Sequence, residues 1–503
     1  MNSKWQDGEI TIGVLGAGVM GRGIAQVAAT GGMRTLLHDS VPGAADKAAE
    51  FIHGMLDRGV ARGRMSAEEA EAAKGRLEIV DGLADFARAD AVIEAIIENL
   101  EIKQQVFQDL EEAVGEETLI ASNTSSFRIA AIAARCRDKS RIGGMHFFNP
   151  VPLMKLVEVV RAPSTTEAAL EAFTHIGRRM GRIPVEVQDG PGFLVNLGGR
   201  AFYTEGLRFA HENIATPSQV DAIMRDACGF RMGPFELMDL TGMDVNFPSC
   251  SSIYNGYFQD RRLTTYPLHE GLYVSGRLGR KTGVGHYEYD TEGNKIAGSG
   301  DAETDAAPAD KVFLAEPAPE LEELLRGAGA EVIAADDGAA AILAAPLGED
   351  CTAVASRLGL DHRRLVAVDL TGDIARRLTV MTAPGADPAI RDQVVARLRE
   401  SGAAVTAIHD SPGFVAQRML AAIGNLGSEM AQIGIAQPAD IDTAMTLGLN
   451  YPQGPLALVE ALGADKVLTI LQNLQAITGE ERYRPSQWLR RRALLDLPIT
   501  TAD

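Results

Sequence analysis

One string in this 503-residue chain recurs, and the recurrence constrains the fold more than any other feature. Asp189-Gly-Pro-Gly-Phe193 reappears as Asp410-Ser-Pro-Gly-Phe414, an offset of 221 residues that holds without a gap for more than fifty residues. Along it Pro217 maps to Pro438, Asp221 to Asp442, Met224 to Met445, Gly233-Pro234 to Gly454-Pro455 and Gly242 to Gly463. Upstream, Ala162-Pro163 maps to Ala383-Pro384. Turn residues and helix-face residues recurring together at one offset indicate a duplicated unit. The chain therefore reads as two related halves in tandem, and its length alone suggests roughly three or four domains.

Short β-branched runs alternate with helical ones through the first half. Ile10 to Leu15, Arg34 to His38, Leu77 to Val80, Ala91 to Ala95, Thr118 to Ala121 and Ile142 to Phe147 read as strands, and Ile102 to Val114 is one of the helical segments between them. Such alternation implies a parallel sheet with helices on both faces. Lys155 to Val160 and Pro184 to Gln188 follow as strands around a helix from about Thr166 to Met180. After Asp189 helices dominate. The run 290–310 is poor in large apolar residues and reads as a linker. Strand signals resume at Val312 to Leu314, Glu331 to Ala334, Ala341 to Ala344, Val366 to Val368 and Leu378 to Met381. The resulting division is 1–188, 189–290, a linker over 291–310, 311–409 and 410–503.

A formal charge of −20 argues against a nucleic-acid partner, which needs a broad basic face, and sends any anionic ligand to a local basic spot. Cys136, Cys228, Cys250 and Cys351 are scattered, without CxxC spacing, so neither a disulfide framework nor a metal site is expected. MNSKWQDGEI lacks the pattern of a signal peptide, and no run of about 18 apolar residues exists for a membrane span. These features point to a reducing cytoplasm.

Gly16-Ala-Gly18-Val-Met20-Gly21 follows an apolar strand directly and opens a helix. Glycines there allow a tight turn and close approach of a pyrophosphate to the helix amino terminus. By itself the string is also compatible with an ordinary strand-to-helix turn. Asp39 ends the next strand, where a carboxylate accepts hydrogen bonds from a ribose and repels a 2′-phosphate, which favours NAD over NADP. The second half has Lys311-Val-Phe-Leu-Ala-Glu-Pro317 instead, with Glu316 where phosphate would approach, so no dinucleotide is expected there. His146 ends a predicted strand, and Glu158 lies on the next, beyond two prolines that turn the chain. An imidazole backed by a carboxylate can take a proton from an alcohol. From spacing alone, a buried His in a structural salt bridge reads the same way.

Ala121-Ser-Asn-Thr-Ser-Ser126, His146-Phe-Phe-Asn-Pro150, Leu156-Val-Glu-Val159, Asp189 to Asn196, Gly233-Pro-Phe-Glu236 and Gly279-Arg-Lys-Thr-Gly283, in that order, resemble the L-3-hydroxyacyl-CoA dehydrogenase family over essentially residues 9 to 290. The duplicated half resembles the extended bacterial form of 3-hydroxybutyryl-CoA and 3-hydroxyadipyl-CoA dehydrogenases. The resemblance implies a Rossmann-like α/β domain and an all-α domain, repeated in tandem with the second Rossmann-like domain degenerate. It implies NAD-dependent oxidation of a (3S)-3-hydroxyacyl-CoA, in fatty-acid β-oxidation or phenylacetate catabolism. His146 would be the general base, Glu158 its orienting partner, Ser125 a hydrogen bond to the same hydroxyl, and Asn196 a contact to the acyl group. Gly16, Gly18, Met20, Gly21, Asp39, Glu98, Lys103, Asn123, Asn149 and Lys281 would hold NAD. The bland alternatives are turn and cap chemistry for Ser125 and Asn123, and a solvated surface for Lys103 and Lys281.

Coenzyme A would find positive charge at Arg58, Arg62 and Arg64, although a family serine nearby is replaced by Met55 and such a cluster on a helix can equally be a solvated face. Arg200 or Arg208 could take a distal carboxylate of the acyl chain, and either could equally be a surface residue. Projected by the offset, Asn196 becomes Gln417 and Glu158 becomes Thr379, and no His-Phe-Phe-Asn-Pro string exists near 365–371, so the second half is expected to be inactive. Single-module family members dimerise through the helical domain, which suggests an internal pseudo-dimer here, or a homo-oligomer. Two rival readings are a β-hydroxyacid dehydrogenase of the 6-phosphogluconate dehydrogenase type, which would use a catalytic lysine, and a non-catalytic NAD-binding structural protein.

Overall fold

The computed structural model describes residues 3–296 and 298–502. Its first eight strands are β1 (Thr11–Leu15), β2 (Arg34–His38), β3 (Leu77–Ile79), β4 (Ala91–Glu94), β5 (Leu119–Ser122), β6 (Ile142–Phe147), β7 (Leu156–Arg161) and β8 (Ile183–Gln188). They form one sheet in the order β3-β2-β1-β4-β5-β6-β7-β8. The eight segments expected as strands are all present, with ends shifted by a residue or so. Neighbours run parallel except β6 and β7, which are antiparallel because the Pro150–Pro152 turn folds the chain straight back. Every residue of β4, β5 and β6 is buried, as a sheet covered on both faces requires. Ile12, Val14, Ile24, Ile93, Phe147 and Phe173 belong to its core, with helices Val19–Thr30 and Glu167–Arg179 packed on it. Strand order reverses between β1 and β4, so the ends of β1, β4, β5 and β6 open on one crevice, the usual ligand position of such sheets.

This unit comprises the chain up to Leu197 together with Gly434–Leu449, a segment taken from the second half. Helix Pro438–Leu449 packs on β7 and β8, and the Gln188 N–H donates to the Ile435 carbonyl at 2.8 Å.

The other unit holds helices Arg200–His211, Pro217–Asp226, Pro234–Thr241, Met243–Gly256 and Pro267–Val274, then a ribbon of β9 (Glu288–Tyr289) and β10 (Lys295–Ile296). A second sheet follows, of β11 (Lys311–Leu314), β12 (Glu331–Ile333), β13 (Ala341–Ala344), β14 (Leu365–Asp369), β15 (Arg377–Thr382) and β16 (Ala404–His409), in the order β12-β11-β13-β14-β15-β16. Only β14 and β15 are antiparallel, which repeats the β6–β7 reversal. β16 has no counterpart among the expected strands, although the offset of 221 places it on Ile183–Gln188. Helix Pro217–Asp226 packs on β15 and β16, and the His409 N–H donates to the Ile214 carbonyl at 2.9 Å. Both bonds are related by the offset. Each sheet therefore carries the equivalent helix of the other half.

The segment expected as a linker starts with the β9–β10 ribbon, and residue 297 within it lies outside the described residues. Residues 298–310 have no regular structure yet are tied down. Asp301 pairs with Arg377 at 2.7 Å, Ala302 N–H donates to Val405 at 2.7 Å, and Arg397 Nε donates to the Ala309 carbonyl at 2.8 Å. Among the described residues no helix is long and apolar enough to cross a membrane.

Candidate active site

The turn after β1 is built for close approach. Gly16 has φ 105°, and a Cβ there would lie 2.5 Å from the Ala95 carbonyl oxygen, so only glycine fits. A Cβ on Gly21 would lie 1.7 Å from the Gly16 carbonyl oxygen. Gly18 differs, for a Cβ there meets nothing within 4 Å. It caps helix Val19–Thr30, whose first N–H groups have no intrahelical acceptor. Met20 packs its side chain against the core. Asp39 is half-buried and braces the loop, one carboxylate oxygen accepting from Ala17 N–H at 2.7 Å and the other from Val41 N–H at 2.8 Å. Open space at Gly18, free helix-terminal donors and a fixed carboxylate fit a dinucleotide.

His146 and Glu158 are directly opposite each other on β6 and β7. Nδ1 of His146 lies 2.5 Å from Glu158 Oε2, with the histidine 5% and the glutamate 0% exposed. The other carboxylate oxygen accepts from the backbone N–H groups of Leu194 at 3.1 Å and Val195 at 2.8 Å. The Asp189–Phe193 turn delivers those donors. It is anchored by Asp189 accepting from Ile129 and Ala130 N–H, at 2.8 and 2.9 Å, and Phe193 takes a left-handed φ of 45°. Phe148 and Phe193 pack on the imidazole, with ring centroids 4.5 and 5.8 Å away. Both oxygens of Glu158 being satisfied, the carboxylate is locked and holds the imidazole in one orientation. Asn196 follows directly after Val195 and is half-buried.

Asn123 spans β5 to β6, its Oδ1 accepting from the Phe147 N–H at 2.9 Å beside His146. Ser125 and Asn149 are exposed at the strand ends. Lys103 is not on a solvated surface. It is 1% exposed, in the first turn of helix Leu100–Ala113, with Nζ 2.6 Å from Glu94 and 3.0 Å from Glu98. Burial raises the Glu98 pKa, but Lys103 and the Thr124 hydroxyl outweigh it and leave Glu98 below its ordinary value. Glu94, Ser122 and Thr124, which complete this network, escaped the sequence reading. A carboxylate closing the wholly apolar run Ala91-Val-Ile-Glu94 at the ligand edge of a sheet was the available signal.

Arg58 and Arg62 are exposed at the end of helix Ala44–Ala61, and Arg58 contacts the Met55 sulfur at 2.8 Å. In the second unit Lys281 is ion-paired with Asp244 at 2.6 Å. Arg208 is taken up by Glu212 and Glu480, at 2.5 and 3.3 Å. Arg200 is not a surface residue; it is 4% exposed and reaches the Cys250 sulfur at 2.7 Å.

In the second sheet the ladder position of His146 and Glu158 is occupied by Asp369 opposite Thr379. Asp369 accepts from the Gln417 amide at 3.0 Å, and Gln417 is the offset counterpart of Asn196. Glu316, where Gly16 stands in the first half, is ion-paired with Arg357 at 2.9 Å. Neither an imidazole nor a glycine turn is present there.

The NAD-binding domain model of 3-hydroxyacyl-CoA dehydrogenase matches residues 11–190. The C-terminal domain model of that family matches twice, at 192–289 and 413–497. The chain is 38% identical to 3-hydroxyadipyl-CoA dehydrogenase of Escherichia coli K12, over 97% of its own length and 98% of that protein. It is 36% identical to mitochondrial hydroxyacyl-coenzyme A dehydrogenase of Sus scrofa over 55% of its own length and 90% of that one. A crystal structure of 3-hydroxybutyryl-CoA dehydrogenase from Escherichia coli K12 superposes with TM-score 0.83 at 38% identity, covering 97% of this chain and 98% of that one.

Proposed function

The chain belongs to the 3-hydroxyacyl-CoA dehydrogenase family, and from that premise we propose that its first half oxidises a (3S)-3-hydroxyacyl-CoA to the 3-oxoacyl-CoA with His146 as general base. The observation that carries this reading is the buried His146–Glu158 pair at the ligand edge of a sheet whose first turn suits a dinucleotide. NAD, bound at Gly16 to Gly21 and Asp39, supplies the hydride acceptor.

With Nδ1–H directed at Glu158, the imidazole presents Nε2 with a free lone pair. Nε2 takes the hydroxyl proton as the C3–H bond breaks, and the Glu158 carboxylate stabilises the imidazolium formed. Ser125, on the exposed turn after β5, donates to the same oxygen, and Asn196 contacts the acyl group. Glu98, Lys103, Asn123 and Asn149 complete the coenzyme contacts. Arg58 and Arg62 meet the coenzyme A phosphates.

For the acyl chain, the relatives' names offer 3-hydroxyadipyl-CoA and 3-hydroxybutyryl-CoA. For a distal carboxylate the two candidate cations are Arg200, which reaches Cys250, and Arg208, which pairs with Glu212 and Glu480. The tandem halves form an internal pseudo-dimer, a reading supported by the exchanged helices and the two C-terminal-domain matches. The histidine–glutamate pair disfavours both the lysine-dependent β-hydroxyacid dehydrogenase reading and a purely structural role. Absorbance of NADH tests the proposal, with kcat/KM taken across C4 to C8 substrates with and without a terminal carboxylate. NADH should form from the (3S) substrates with NAD and far more slowly with NADP. No NADH from any of them would contradict it.

A further inference from the structure

Behind the exposed Ser125 turn lies a buried charge network whose centre, Glu94, has no part in the proposed mechanism. Glu94 ends β4 and is fully buried, facing Ser122 across the β4–β5 ladder. One oxygen accepts from the Ser122 hydroxyl at 2.7 Å, and Ser122 Oγ in turn accepts the Thr124 N–H at 3.1 Å. The other accepts from Lys103 Nζ at 2.6 Å and from the Ile96 N–H at 2.7 Å. Lys103 continues to Glu98, whose carboxylate accepts from the Thr124 hydroxyl at 2.6 Å and the Ser125 N–H at 3.2 Å. Thr124 Oγ1 also accepts from Ser126 and Phe127 N–H, at 3.2 and 3.1 Å.

The Thr124–Ser125 turn is thus held by two arms, one through Ser122 and one through Lys103 and Glu98, and both arms end on the same carboxylate. A short exposed turn has little packing of its own, so its hydroxyl is only as well placed as these bonds make it. The Lys103 ammonium, 1% exposed, needs the charge of Glu94, because its other partner Glu98 is 37% exposed and only partly desolvated. We infer that Glu94 is a positioning residue, one that sets the Ser125 hydroxyl toward the reacting oxygen of the substrate. This inference rests on the proposed role of Ser125.

A double-mutant cycle on the full chain tests it, with Glu94→Gln, Ser125→Ala and both together assayed for kcat with a 3-hydroxyacyl-CoA and NAD. Each single variant should lose about 10–100-fold in kcat. In the double variant the loss should stay within about threefold of the worse single one, because Glu94 acts through a hydroxyl already gone. Two impaired single variants whose factors multiply would overturn this inference alone. An unaltered kcat in Ser125→Ala would overturn the role of Ser125 and the inference with it. If Glu94→Gln does not fold, Ser122→Ala, which cuts one arm and keeps the ion pair, goes through the same cycle with the same outcomes.

Discussion

At the scale of single residues, the glycines of the first turn do two different jobs, and the geometry separates them. Gly16 is needed by the fold, with its positive φ and a carbonyl where a Cβ would sit. Gly18 has an ordinary φ of −65° and empty space before it. Gly18→Ala should therefore keep its thermal midpoint within about 2 °C and weaken NAD binding by about tenfold or more. Gly16→Ala should lose at least 1–3 kcal/mol of stability, roughly, from strain alone. Calorimetry beside NAD titration checks both, and a Gly18→Ala protein binding NAD normally would move the pyrophosphate elsewhere. Much of this site was legible beforehand, because GxGxxG, Asp39 and the His146–Glu158 spacing are local patterns. Lys103 was not, since nothing in Glu98-Asn-Leu-Glu-Ile-Lys103 says that its ammonium is buried between two carboxylates. Burial of that charge depends on Glu94, nine residues away at the end of another element.

At the scale of elements, β6–β7 and β14–β15 are the same antiparallel pair put to different use. The first pair holds His146 against Glu158, and the second holds Asp369 against Thr379. Burial pushes the Asp369 carboxyl up to about 6, against hydrogen bonds from Gln417 and Thr371 that pull it down. A folded-state pKa above the unfolded value means that the native chain holds this proton more tightly. Its stability therefore falls as pH rises from about 4 to about 6, and the cost is complete above that. Asp369→Asn should remove that cost, gaining on the order of 1–3 kcal/mol at pH 8 and little at pH 4. Denaturant titrations at the two pH values check the sign, and equal effects at both would refute the assignment. Most strands were readable from β-branched runs. β16, Ala-Val-Thr-Ala-Ile-His409, is absent from the expected strands, although the offset sets it on β8.

At the scale of the whole molecule, the two halves depend on each other. Each sheet carries a helix of the other half, through the paired bonds Gln188 to Ile435 and His409 to Ile214. Within the second unit, Glu205 of the first half is fully buried against Arg418 of the second at 2.5 Å, with Arg482 at 3.4 Å and the Tyr483 hydroxyl at 2.6 Å. Burial would raise Glu205, but Arg418, then Arg482 and Tyr483, hold it at about 2. Deleting Val312–Asp503 would strip these partners from a buried carboxylate and bare the face of β7 and β8. The truncated protein should be insoluble or newly oligomeric, and a soluble, fully active monomer in size-exclusion chromatography would refute the pseudo-dimer. The offset announced the two halves, whereas the exchange of helices did not show in it, because a repeat reveals equivalence and not which copy packs on which sheet.

One reaction centre, in the first half, is the claim on which the rest depends, and His146→Gln in the full-length protein tests it most directly. Turnover of a 3-hydroxyacyl-CoA, followed by NADH absorbance, should fall by roughly 10²–10⁴-fold while the NAD dissociation constant stays within about threefold of the parent. Turnover equal to that of the parent would remove His146 from the chemistry and contradict the account.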